Sequence, residues 1–292
     1  TKMGVALAKK FNGEVISGDS MQIYKQMDIG TAKVTEEEKE GIIHHCVDIL
    51  NPDETYSVHD FQQTVRKKIT EITQRGHVPI IVGGTGLYIK AALYDYQFDE
   101  MENDHHAINE KYKDYTNEQL HDHLKSIDEE SAKILHFNNR RRVLRAIEIY
   151  ETTGKRKSEM LEEQEHICLY DAYFVGLTLP RDVLYERINK RVDVMMENGL
   201  KEEMDCLYSQ GLTRNHQSMK AIGYKEWFDY YDHQIDLNDV LELIKKHSRQ
   251  YAKRQYTWFK NQFDVHWYDV NLENFEQTIE QVTDDIEKIL KV

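Results

Sequence analysis

Residues 18–33, GDSMQIYKQMDIGTAK, place a carboxylate, a hydroxyl and an amide (Asp19, Ser20, Gln22) within four positions. Such a group can accept a proton and read a base edge; the competing reading is a strand-ending aspartate that caps the next helix. A second group is Gly83-Gly84-Thr85-Gly86. Its glycines permit backbone approach to an anion or a flat ligand and Thr85 adds a hydroxyl, although glycine turns between strand and helix also arise for steric reasons alone. Third, Arg187 and Arg191 lie one helical turn apart. Guanidinium forks bind phosphoryl oxygens bidentately and suit a departing pyrophosphate; pairing with Glu186 or Asp193 is the alternative.

Charge separates two further segments from the rest. The chain has 292 residues, 52 Asp and Glu against 38 Lys and Arg, and a net charge of −14, which excludes a generally basic binder of nucleic acid. Yet Lys245 to Lys260 holds six Lys or Arg and no carboxylate, interleaved with Tyr251, Tyr256, Trp258 and Phe259, and Asn139 to Arg145 adds four arginines. Cations grip RNA phosphates while aromatics stack on splayed bases, so the two patches fit a loop-RNA footprint; they could also serve as internal partners for an acidic protein's carboxylates. Cys46, Cys168 and Cys206 are far apart, and no histidine pair has zinc-site spacing, so neither a disulfide framework nor a zinc centre is expected. His44 and His45 fall in a short strand, pointing to opposite faces, and read as structural. No apolar run is long enough to span a bilayer, so a cytoplasmic protein without membrane contact is expected.

Helical and strand periodicities must position these groups. Met3, Leu7 and Phe11 mark a helix stopped at Asn12-Gly13, and a strand follows over Glu14–Ser17. A helix at the first residues implies a strand and loop ahead of it in a parallel α/β domain; if that loop bound phosphate, Thr1 would be its last hydroxyl and could ligate Mg²⁺. Ser57-x-x-Asp60 opens an amphipathic helix with Phe61, Val65, Ile69 and Ile72 on one face, ended by Gly76. Val78 to Val82 then reads as a short buried strand, with a helix from Leu87. The acidic stretch 99–106 introduces helical periodicity that continues to Ile149. A strand is expected within 172–180, a helix after Pro180, and a short strand over Val265–Tyr268. The order predicts a parallel sheet flanked by helices, divided as 1–103 (first part of the core), 104–168 (helical insertion) and 169–292 (second part of the core with C-terminal helices).

Taken in order, GDSMQIYKQMDIGTAK, HHCVD at 44–48, GGTGLY at 83–88, RRVLRAIEIYETTGK at 141–155, KAIGYKE at 220–226 and YAKRQYTWFK at 251–260 resemble the motifs of the bacterial tRNA dimethylallyltransferases, or tRNA isopentenyltransferases. The resemblance spans nearly the whole chain. It implies an α/β core of the P-loop NTPase type with a helical insertion, and transfer of a dimethylallyl group from dimethylallyl diphosphate to N6 of the adenosine 3′ of the anticodon. It implies Mg²⁺ as cofactor, a tRNA anticodon stem-loop as partner, and a monomer. Position by position, it makes Asp19 the general base, Thr85 the residue that helps place it, and Arg191 the diphosphate arginine; Thr1, as the last hydroxyl of a phosphate loop, and Arg187, one turn from Arg191, join the diphosphate site on the reading of the residues. Asp19, Ser20, Met21, Gln22 and Thr85 match tRNA-contacting positions. So do Arg141, Arg142, Val143, Leu144 and Arg145; Ala221, Ile222, Gly223, Tyr224, Lys225 and Glu226; and Lys253, Arg254, Gln255, Tyr256, Thr257, Trp258, Phe259 and Lys260. The family's phosphate loop is represented only by Thr1. Near residues 105–110, where the family has an arginine facing tRNA, the chain reads His105-His106-Ala107-Ile108-Asn109-Glu110.

Two other functions compete on residues alone. A small-molecule kinase of the same class would leave 251–260 without a purpose, and a non-catalytic RNA-binding module would leave Asp19 without one.

Overall fold

The computed structural model describes residues 1–96, 105–162 and 166–290. Helix α1 (Lys2–Lys10) buries Met3, Leu7 and Ala8 and ends as Asn12 adopts a left-handed φ of 51°. Strand β1 (Gly13–Ser17) follows, then a four-residue helix α2 (Glu36–Lys39) and the two-residue strand β2 (His44–His45). Helix α3 (Val58–Gln74) starts in the expected box: Asp60 N–H donates to Ser57 Oγ at 3.1 Å and Ser57 N–H to the Asp60 carboxylate at 2.8 Å. A cap of this kind contributes ~1 kcal/mol. Phe61, Val65, Ile69 and Ile72 are its buried stripe. Strand β3 (Val78–Val82) and helix α4 (Gly86–Leu93) complete this part.

The three strands are parallel in the order β2-β1-β3, with Val15 opposite Ile80 and Ser17 opposite Val82. Only β1 is central, and its Glu14 to Ser17 are buried. β3 corrects an expectation: it is half-buried rather than buried, with Val78 44% exposed. Four apolar residues in a row specify a strand, but its neighbours decide how much of it is covered.

The described chain divides into two units, Thr1–Leu93 with Tyr170–Val292, and Tyr94–Leu169. The division expected after residue 103 lies outside the described residues. The second unit holds helices α5 (His105–Lys111), α6 (Asn117–Ile127), α7 (Glu129–Ile134), α8 (Arg140–Thr153) and α9 (Lys157–Glu162). Its core is Leu120 and Leu124 of α6 against Val143, Leu144 and Ile147 of α8, joined by Ile108 and Tyr112. Arg140 donates to the carbonyls of Tyr112 and Tyr115, each at 2.7 Å. The two ends of the unit are clasped: Tyr94 and Cys168 form an antiparallel bridge, Asp95 N–H donates to Ile167 O at 3.0 Å, and Ile167 N–H donates to the Asp95 carboxylate at 3.0 Å.

In the first unit the chain continues as β4 (Phe174–Thr178), α10 (Arg181–Glu197), α11 (Leu200–Ser209), α12 (Trp227–Tyr231), α13 (Leu237–Gln262), β5 (Val265–Asp269) and α14 (Phe275–Leu290). β4 and β5 pair in parallel. Met3 and Leu7 of α1, Tyr268 of β5 and Val282 of α14 form one apolar cluster against which Ile80 and Val175 pack, so the same two helices cover both parallel pieces.

Candidate active site

The C-terminal ends of β1 and β3 are laced together. Gly18 N–H donates to Val82 O at 2.8 Å, Thr85 N–H to Gly18 O at 3.2 Å, and Ser20 N–H to Thr85 Oγ1 at 3.1 Å. Asp19 caps no helix; its Oδ1 accepts the N–H groups of Met21 at 2.7 Å and Gln22 at 3.3 Å, closing a tight turn. Oδ2 receives no donor from the described residues. Burial pushes the Asp19 carboxyl up, the two amides pull it down, and burial prevails, so the pKa is raised. A half-buried carboxylate with one open oxygen and a raised pKa is a better general base than an exposed aspartate. Sequence spacing had grouped Asp19, Ser20 and Gln22; the fold adds Thr85 and puts it in hydrogen-bond contact with Ser20.

At two of its glycines the turn follows the steric reading. A Cβ on Gly84 would lie 1.9 Å from Gln255 Nε2 and one on Gly86 2.1 Å from the Trp258 ring. The close visitor is thus α13, which docks on the turn through Tyr251, Gln255 and Trp258. Gln255 Nε2 donates to Gly84 O at 2.9 Å and the Tyr251 hydroxyl reaches the same oxygen at 3.4 Å. Burial raises the Tyr251 pKa and the charge of Asp19 adds to it, while the Thr85 hydroxyl and Gln255 act the other way; the phenol stays a neutral donor beside the base.

The arginines occupy another place. Arg187 and Arg191 are exposed on α10, and neither has an ion-pair partner among the described residues. Asp193, the suggested partner, binds Lys245 at 2.8 Å instead. Arg191 lies near Thr1, at the start of α1. The Thr1 side chain makes no capping hydrogen bond. No hydrogen bond or ion pair links this pair to the Asp19–Thr85 group among the described residues. There is likewise no cluster of three or more His, Cys, Asp or Glu that could hold a metal among them.

Residues 22–262 match the family model described as IPP transferase. The chain belongs to the IPP transferase family. It is 53% identical over 273 residues to tRNA dimethylallyltransferases of Bacillus cereus and Bacillus anthracis; in a B. cereus relative this covers 92% of this chain and 86% of the relative. Among solved structures, the tRNA delta(2)-isopentenylpyrophosphate transferase of Staphylococcus epidermidis has a TM-score of 0.72 at 47% identity, covering 98% of this chain and 94% of that one. The full-length tRNA isopentenylpyrophosphate transferase of Bacillus halodurans has a TM-score of 0.76 at 45% identity, covering 99% and 92%. A eukaryotic dimethylallyltransferase acting on tRNA has a TM-score of 0.86 at 31% identity, covering 99% and 76%. The expected parallel α/β architecture is that of this IPP transferase.

Several residues matched to RNA contact point inward in this transferase. Val143 and Leu144 are core residues of the second unit, because a helix carrying RRVLR must bury one face. Arg145 pairs with Glu148 at 2.8 Å, while Arg141 and Arg142 are exposed. Tyr224 is fully buried, its hydroxyl donating to Glu203 at 2.6 Å; Glu226 is buried against His247 at 2.6 Å and the N–H of Gly223 at 2.9 Å; Ala221 is buried as well. Of that segment Lys225 is exposed and Ile222 partly so. On α13, Lys253, Arg254, Tyr256, Thr257 and Lys260 face outward, Phe259 is half-buried against Phe263, and Gln255 and Trp258 face the glycine turn. The 105–110 segment lies in helix α5 and supplies the buried Ile108.

Sequence reasoning missed the groups that hold the 18–33 loop. Lys33, with only 5% of its side chain exposed, donates to Tyr24 O at 2.7 Å and to Asp28 and Asp48 at 2.6 Å each. Glu203 of α11 accepts the N–H groups of Asp28 at 2.8 Å, Ile29 at 2.7 Å and Gly30 at 3.1 Å. The Lys33–Asp48 pair had a signal, since both lie in quoted motifs; Glu203 had none. Tyr251 could have been found from its spacing with Gln255 and Trp258 along one helix face.

Proposed function

We propose that this transferase moves the dimethylallyl group of dimethylallyl diphosphate onto N6 of the adenosine that follows the tRNA anticodon, with Asp19 as general base. The activity itself is that of the family; the residue roles rest on one observation, the raised-pKa Asp19 with its unengaged Oδ2 at the end of a central parallel strand, beside Thr85, where open α/β sheets take their ligands. The lone pair of an adenine N6 amine is delocalised into the ring, so attack on the allylic carbon needs a carboxylate to hydrogen-bond the amine and take its proton. As the N6–carbon bond forms, the carbon–oxygen bond to diphosphate breaks, the electron pair leaves with diphosphate, and the N6 proton passes to Asp19. The target base must first leave the loop stack.

Arg191, with Arg187 one turn away, would receive the diphosphate at the start of α1, where helix N–H groups also favour an anion. Their lack of internal partners supports this role. Among the described residues no carboxylate cluster offers a metal seat, and the Thr1 hydroxyl, which makes no capping hydrogen bond, would be the protein group that helps hold a Mg²⁺. When bound, Mg²⁺ would neutralise charge on the leaving group. The outward face of α13, from Lys253 to Lys260, would grip the stem-loop backbone, Arg141 and Arg142 of the second unit are RNA-contact candidates in their own right, and the reaction would take place in the cytoplasm.

The test is mass spectrometry of an anticodon stem-loop incubated with enzyme, Mg²⁺ and dimethylallyl diphosphate. One dimethylallyl mass gained on that adenosine is expected; no gain would remove the reading.

A further inference from the structure

The 18–33 loop must hold Asp19 and Gln22 still, yet apart from its turns and a single parallel bridge from Tyr24 to Leu50 it carries no regular secondary structure. Beside the bonds of Lys33, part of its rigidity comes from outside. Three successive backbone N–H groups, those of Asp28, Ile29 and Gly30, converge on the two oxygens of the Glu203 carboxylate, and the Tyr224 hydroxyl donates to one of them. Gly30 is pressed on the Tyr224 ring so closely that a Cβ there would lie 2.6 Å from it. Immediately after the clamped amides, the carbonyls of Thr31 and Ala32 accept from the Gln22 carboxamide at 3.3 and 3.4 Å. The Gln22 carboxamide oxygen accepts from Ser17 Oγ at 3.3 Å, and the Gln22 backbone N–H reaches Asp19 Oδ1 at 3.3 Å. An unbroken run of hydrogen bonds and two peptide units thus joins Glu203 to the base.

We infer that Glu203, with the Tyr224 hydroxyl as its side-chain donor, is a positioning residue for Asp19: it fixes the turn 28–32, which fixes Gln22, which fixes the carboxylate. A carboxylate is required at this place because it alone offers acceptors on both oxygens to four converging donors. In Glu203→Gln one oxygen becomes an NH₂ facing N–H groups, so the clamp is opened with little change in volume. The inference rests on Asp19 being the base.

The experiment compares Glu203→Gln and Tyr224→Phe with the parent enzyme for kcat, KM for dimethylallyl diphosphate, the pH profile of kcat, and Tm. A misplacement of the base by about 1 Å costs roughly 10²-fold, so kcat in Glu203→Gln should fall about 10-fold to 10²-fold, with a smaller fall in Tyr224→Phe. The donor KM should stay unchanged, because Arg191 is held elsewhere. The acid limb of kcat should move to higher pH as Asp19 loses its two amide donors. Parent values of kcat and acid limb in both variants, whatever happens to Tm, would overturn the inference. If Glu203→Gln fails to fold, Tyr224→Phe, which keeps its buried ring, decides alone. Asp19→Asn run beside them separates the two readings: retained turnover there would defeat the base assignment, whereas an inactive Asp19→Asn with unaltered Glu203 and Tyr224 variants would defeat only the clamp.

Discussion

Replacing Asp19 by Asn should slow turnover and stabilise the fold at once. Asn keeps an oxygen where Asp19 Oδ1 accepts Met21 and Gln22, so the turn survives, but the second atom becomes an NH₂ that cannot take the N6 proton. A positioned base is worth about 10²-fold to 10⁴-fold, or roughly 2.7 to 5.4 kcal/mol in the barrier. Stability moves the other way. The carboxyl's pKa is raised by folding, so the folded state binds a proton more readily than the unfolded state, and the ionised group destabilises the protein at neutral pH. Removing the charge removes that penalty. Single-turnover mass spectrometry of the stem-loop measures the first effect and thermal denaturation at pH 7 the second; tRNA binding, read by filter retention, should be kept. Turnover within twofold of the parent, or a Tm lowered together with lost tRNA binding, would refute the reasoning, since the first denies the base and the second denies that Asp19 is desolvated within an otherwise intact turn.

Three further outcomes follow from other parts of the structure. Gly86→Ala drives a methyl into the Trp258 ring and should cost about 1–3 kcal/mol, read as a lowered Tm, with Gly76→Ala, where nothing lies within 4 Å, suffering only the strain of its positive φ. Glu14, 2% exposed and bound by Arg75, His45 and His77, has its pKa lowered from 4.5 to about 2, so its stabilisation is full above pH 4.5 and is lost as pH falls towards 2; Glu14→Gln should flatten the acid limb of a stability-against-pH curve in that window. Lys253→Ala should weaken stem-loop binding and lower the slope of log K against log salt by about 0.7 to 1, whereas Val143→Ala should lower Tm and leave that slope unchanged.

The pattern of strands and helices was legible because each is announced locally: the capping box before Phe61, the apolar run 78–82, the stripe along α1. What burial each receives was not, as β3 shows, because coverage depends on neighbours far away in sequence. The chemical residues divide in the same manner. Asp19, Ser20 and Gln22 stand together in the chain, and their grouping was visible. Thr85 was visible as a hydroxyl in a glycine turn, and a steric reason for the glycines was among the readings, but the approaching body, α13, more than a hundred and fifty positions on, was not visible. Matching whole segments to RNA contact also swept in Val143, Leu144 and Tyr224, whose burial follows from one face of any packed helix or turn needing to point inward. Glu203 left no trace at all: a carboxylate serving backbone amides from another element has no local signature.

The clasp between Tyr94–Asp95 and Ile167–Cys168 has a consequence for how the chain can change. Because departure and return lie side by side, the intervening helices form a self-closed excursion that can be lengthened, trimmed or exchanged with its two ends still paired.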